Sequence, residues 1–236
     1  MAHVRKLLYV PILHTEADMG SLGPAMERIS ASLYGERRWA QYKETVSRFW
    51  ERVAAYLMAL DVSSLKIYQD GLAADGELGR SVVQEAARRG SDNHQLVLRL
   101  LERGAELRKT EDVSLLIEEY QSILRFSASE ARQREPGQER EERVAAERRM
   151  VDRDRFIAKS IDDTLRDGET AVLFIGAYHD VLSHLAPDIA VHEVKDVARV
   201  RAYFRELVFG RDEEGLQRLA HYLASPTANA GARPVA

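Results

Sequence analysis

Residues 170–180, Thr-Ala-Val-Leu-Phe-Ile-Gly-Ala-Tyr-His-Asp (TAVLFIGAYHD), read as a buried β-strand that runs into a glycine turn and delivers a histidine. An unbroken apolar run of this length suits a strand covered on both faces, as in a central parallel sheet. Upstream, Phe156, Ile157, Ile161 and Leu165 recur at helical spacing, and Gly168 terminates that helix. The unit is therefore a helix followed by a buried strand. Lys6 to Leu13 (KLLYVPIL) repeats the strand signal and ends at His14. Leu65 to Gln69 (LKIYQ) runs into the turn pair Asp70-Gly71, and Ile189 to Val194 supplies a last strand.

Helices separate these strands. Apolar residues from Met26 to Leu60 recur every three or four positions, with Gly35 as a break, and further helices are expected over Glu77–Arg89, from Ser91 as N-cap, and over Val113–Phe126. A short helix around Val181–Leu185 and two closing helices, Val197–Phe209 and Glu213–Leu223, complete the pattern. Alternating strands and helices predict an α/β fold with a mainly parallel central sheet and many flanking helices. We expect one domain over residues 1–224, with a helical, charged insertion at about 77–150 and a disordered tail at 225–236.

The chain has no cysteine, which excludes disulfides, thiolate metal sites and cysteine nucleophiles. A net charge of −4 gives no global positive field for nucleic acid or an anionic membrane. The apolar run near the amino terminus contains Pro11 and lacks a small-residue cleavage pattern, so it reads as a strand rather than a signal peptide. A cytoplasmic protein without membrane or nucleic-acid partners is the expectation.

Two segments carry chemistry. Ligands of open α/β sheets bind beyond the carboxyl ends of the strands, where His14 and His179 both fall. If the chain stays extended after the first strand, His14, Glu16 and Asp18 project to one side, a donor set suited to Zn, Mn or Fe. A turn that gathers acids at a helix start explains the same residues. In Gly176-Ala177-Tyr178-His179-Asp180, glycine permits a sharp turn and Asp180 is placed to orient the imidazole or to cap a helix. His94 reads as a capping or exposed residue; His192 and His221 read as packing residues. No P-loop, GxGxxG, GxSxG or HExxH pattern occurs.

On these motifs the chain resembles the superfamily of the Tiki proteases, TraB/PrgY, GumN-like and erythromycin-esterase/ChaN-like proteins. GAYH at 176–179 is similar to the late GxxH motif, the segment beginning Arg153-Asp154 to the Arg-Asn helix, and LKIYQ-Asp70 to the middle strand with its acid. The chain departs from the pattern at Pro11, where Gly is expected, at Asp70, where Glu is usual, and at Asp154, where Asn is usual. The resemblance implies a hydrolytic site formed by His14, Glu16, Asp70, Arg153 and His179. A divalent ion on His14, Glu16, Asp70 and His179 would acidify water, or a histidine with a carboxylate would act as general base. Arg153 would stabilise an oxyanion, or else form a surface ion pair on its arginine-rich helix. The substrate would be a small molecule or a peptide. The rival readings are a non-catalytic ligand-binding or regulatory protein, and a homo-oligomer assembled through the Glu/Arg-rich stretch at 130–155.

Overall fold

In the computed structural model, residues 4–18, 23–129 and 136–227 are described. The strands are β1 (Arg5–Ile12), β2 (Leu65–Gln69), β3 (Glu106–Arg108), β4 (Thr170–Gly176) and β5 (Ile189–Glu193). The helices are α1 (Gly23–Tyr34), α2 (Glu36–Met58), α3 (Gly76–Arg88), α4 (Asp92–Glu102), α5 (Val113–Ser129), α6 (Pro136–Thr164), α7 (Val197–Phe209) and α8 (Glu213–Ala224). The strands form one sheet in the order β3-β2-β4-β1-β5, and every pairing is parallel. The α/β fold with a parallel central sheet is thus as expected. Because all strands point one way, their carboxyl ends open along a single edge.

Side chains alternate between the two faces of each strand. Leu8, Val10 and Ile12 of β1 join Val172 and Phe174 of β4 beneath α2, α3, α4, α7 and α8. Leu7 and Tyr9 join Leu173 and Ile175 on the opposite face, against Ile157, Ala158 and Ile161 of α6. This two-sided burial is why the strands are apolar without alternation. Phe49 of α2 is fully buried, with its ring edge-on to Trp50 at 5.1 Å. Phe49→Ala should cost about 3–5 kcal/mol through lost transfer energy and a residual cavity. Urea unfolding checks this as a lowered midpoint at unchanged slope.

Three features differ from expectation. Strand β3 is only Glu-Leu-Arg at the sheet edge, too short and too polar to give an apolar run. The first part of the expected insertion, α3 and α4, joins β2 to β3 and contributes Val83, Leu96, Val97 and Leu100 to the core. The charged stretch after Pro136 and the apolar helix before Gly168 form one continuous helix, α6, with proline at its first turn. Of the expected tail, Ser225 is held: its carbonyl accepts from Lys195 Nζ at 2.7 Å. Residues 228–236 lie outside the described residues.

Ion pairs close the amino ends of the strands. Arg5 reaches Asp188 at 2.7 Å and Asp162 at 2.8 Å, and Lys66 reaches Glu106 at 2.8 Å and Glu169 at 3.0 Å. Among the described residues, no helix is long and apolar enough to cross a membrane.

Candidate functional site

The candidate residues His14, Asp70 and His179 lie at the opposite edge, where β1, β2 and β4 end. Beyond β1, Trp50 of α2 donates to the Leu13 carbonyl at 3.4 Å and Tyr42 donates to that of His14 at 2.5 Å. The backbone carrying His14 is thereby fixed to α2, while the side of the residue facing out of the sheet stays exposed. Beyond β2, the Asp70 amide donates to the Phe174 carbonyl at 2.9 Å and extends the ladder by one residue. Gly71, at φ 78°, then turns the chain away, as only glycine does without strain. Beyond β4, the His179 amide closes a turn on Gly176 at 3.1 Å. Arg201 of α7 clamps that turn, donating to the carbonyls of Ala177 at 2.5 Å and His179 at 3.1 Å.

Register brings these ends together, since Ile12 of β1 lies opposite Gly176 of β4. A methyl group on Gly176 would lie 3.4 Å from Asp70 Oδ2, 3.4 Å from His179 Cδ2 and 3.8 Å from His14 Nε2. His14, Asp70 and His179 therefore converge on the space above Gly176. This glycine is absent from the positive-φ positions, so the turn it begins does not use the left-handed backbone that glycine permits.

His179 is held through a carboxylate. Its Nδ1 lies 2.5 Å from Asp154 Oδ1, and Asp154 Oδ2 accepts the Asp180 amide at 2.8 Å. Burial by itself would lower the His179 pKa; the bond to Asp154 and the charges of Asp70 and Asp154 outweigh it and leave the imidazole above its usual range. Asp180, expected to orient the ring or to cap a helix, makes no capping bond to a backbone amide and accepts from the Ser183 hydroxyl. The free nitrogen, Nε2, stands 3.8 Å from Asp70 Oδ2, close enough for charge to act and too far for a hydrogen bond.

Asp70 is itself restrained. Its Oδ2 accepts the Gly176 amide at 3.1 Å and its Oδ1 accepts Arg153 Nη2 at 3.1 Å. Arg153 is buried and also reaches Glu111 at 2.6 Å, whose side chain is entirely enclosed. The alternative of a surface ion pair for Arg153 is overturned by that burial. Burial raises the Glu111 pKa against the lowering effect of Arg153.

The extended projection of His14, Glu16 and Asp18 does not form. The Asp18 amide bonds back to Thr15 at 3.1 Å, making a tight turn, and Asp18 Oδ2 accepts the Thr15 amide at 2.7 Å. Among the described residues, Glu16 has one buried carboxylate oxygen without a hydrogen-bond partner, and no hydrogen bond joins it to His14, Asp70 or His179. Asp18 Oδ1 instead accepts from Ser91, the N-cap of α4. His94, one turn into α4, is largely buried rather than exposed, and its Nδ1 lies 2.7 Å from the same Ser91 hydroxyl.

Ser91 caps α4 as expected, but sequence reasoning did not foresee the supporting roles of Asp154, Glu111, His94 and Arg201. A signal existed for Asp154: it shares the spacing of Ile157, Ile161 and Leu165, so an acid lies on the apolar stripe of α6. His192 packs 6.3 Å from Tyr56, on the α2 side of the sheet. Two surface grooves, about 430 and 290 Å³, lie between α7 and α8 and between α2 and α8, and neither is lined by a residue of the convergence.

Among the described residues, no three His, Asp or Glu side chains are grouped so as to hold a metal ion. The four expected ligands, His14, Glu16, Asp70 and His179, are thus not brought together as one set. Comparison with known protein families, with curated proteins and with solved structures finds no match to this chain.

Proposed function

We propose that the chain is a hydrolase whose general base is His179, acting at the cleft over Gly176. The observation that carries this reading is the meeting of His14, Asp70 and His179 at one glycine, with Asp154 on the far nitrogen of His179. A carboxylate on Nδ1 keeps the proton there, so the neutral ring offers the Nε2 lone pair to the cleft. Water in the cleft would lose a proton to Nε2 as its oxygen bonds to the scissile carbonyl carbon. The same proton would pass to the leaving group as the bond to that group breaks. Asp70 would support the imidazolium formed between these steps, held in place by Arg153. His14, on the opposite wall, would donate to the developing oxyanion or leaving group.

The substrate would be a small molecule or a peptide with a hydrolysable carbonyl. The donor arrangement gives no ligand set for Zn, Mn or Fe, so no step is routed through an ion. Hydrolysis of a panel of 4-nitrophenyl esters and short peptides tests the reading. His179→Ala should lower kcat/KM by about 10²–10⁴-fold when assayed below its own melting temperature, where the variant is folded. Equal rates in wild type and variant would overturn it and favour the ligand-binding alternative.

A further inference from the structure

Ser91 has one hydroxyl proton and two side-chain partners. The proton is donated to Asp18 Oδ1, a carboxylate that can only accept. His94 Nδ1, 2.7 Å from the same oxygen, must then be the donor of the second bond. The protonated nitrogen of His94 is therefore Nδ1, which leaves Nε2 as a bare acceptor. Ser91 is fully buried and the Asp18 side chain is 5% exposed, so water does not compete for this arrangement. Ser91 also accepts the His94 amide at 3.2 Å as the cap of α4, which ties ring and backbone to one oxygen.

Among the described residues, Nε2 of His94 makes no hydrogen bond, and 15% of the side chain is open to solvent. Asp18 holds the Thr15 amide, next to His14, through one oxygen and the Ser91–His94 pair through the other, so the ring stands across Asp18 from the turn that follows His14. Around the cleft stand the carboxylates Asp18, Asp70, Asp154 and Glu111, against the cations Arg153 and Arg201. Arg89, which also acts on His94, is drawn off at 3.4 Å by Glu85. An acceptor nitrogen in a field of net negative charge is matched by a ligand group that is both a donor and a cation.

We propose that His94 is a third imidazole of the cleft and a specificity-determining residue, whose Nε2 receives an N–H of the substrate, a protonated amine above all. The proposal rests on the cleft being the substrate site and names the class of substrate it selects. It needs no role for His94 in the proton transfers of His179.

The test is titration of the ¹⁵N-labelled full chain with glycinamide, which carries an ammonium, and with acetamide, which does not, followed in long-range ¹H–¹⁵N spectra of the histidine rings. In the free chain, Nε2 of His94 should resonate as an unprotonated nitrogen and Nδ1 as a protonated one. Glycinamide should shift that Nε2 signal and bind about tenfold more tightly than acetamide. His94→Leu should abolish the difference, and His94→Gln, which keeps an acceptor, should retain most of it. A protonated Nε2 in the free chain, equal affinity for the two probes, absence of any shift at His94, or a preference that survives His94→Leu would each overturn the proposal. The wild-type spectra decide the first three points even if a variant fails to fold. Selective binding without His179-dependent ester hydrolysis would sink the hydrolase reading alone. Hydrolysis without selectivity would sink this one alone.

Discussion

Arg153→Leu should destabilise the chain by about 3–5 kcal/mol, because it strips the cation from buried carboxylates and leaves them uncompensated. Glu111 bears most of this: its side chain is fully enclosed, while that of Asp70 is 13% exposed. The loss should depend on pH. Burial already holds the Glu111 pKa above its ordinary value, and removing Arg153 raises it further. In the variant the folded state then binds a proton that the unfolded state has released, so stability falls as pH rises from the unfolded value towards the folded one. The deficit should be smallest in acid and should grow towards neutrality. Adding Glu111→Leu should recover much of it, since replacing both members of a buried pair is far milder than removing one. Urea unfolding at pH 4.5 and pH 7 measures both; a deficit independent of pH would contradict this assignment of Arg153.

Asp154→Asn should have the largest effect on the proposed hydrolysis. Asp154 accepts two donors, His179 Nδ1 through one oxygen and the Asp180 amide through the other. Asparagine has one oxygen and satisfies only one of them. Without the carboxylate, burial governs His179, and its pKa should fall from above the ordinary imidazole value to below it. In the wild type, protonated His179 adds stability that is fully present below about pH 6.5 and is lost as pH rises through the raised folded value. The variant should lack that increment below pH 6.5 and should hydrolyse esters about 10²–10⁴-fold more slowly at neutral pH. Ring titration by NMR and the pH–rate profile check the two parts; an unchanged His179 pKa would show that Asp154 does not control the ring.

The strands were legible because burial on both faces writes an uninterrupted apolar run, and TAVLFI and LLYVPIL need no partner to be recognised. The polar edge strand Glu106–Arg108 carries no such mark, and its place comes from pairing with β2. Within the site, His14 and His179 could be read because each ends a buried strand. Their adjacency could not, since it depends on β4 lying next to β1 although more than 150 residues separate them. Arg153 and Asp154 were obscured by the charges before them: the same helix is exposed from Arg140 to Arg148 and turns inward from Arg153. Gly176 was read for its backbone freedom, whereas its φ is not positive and what it marks is the space on which the three groups converge. The turn at Thr15–Asp18 breaks the strand alternation on which a His14-Glu16-Asp18 face depended, and local hydrogen bonds from Asp18 decide that.

Everything proposed for this cleft depends on two imidazoles from opposite ends of the chain sharing the space above one glycine. The ring ¹H–¹⁵N spectra of the wild type and of Gly176→Ala measure this directly, since the backbone there admits alanine and the added methyl enters the shared space. Signals of His14 and His179 should both move, those of His192 and His221 should stay, and the fold should persist. Displacement of only one of the two cleft histidines, or of neither, would contradict the account.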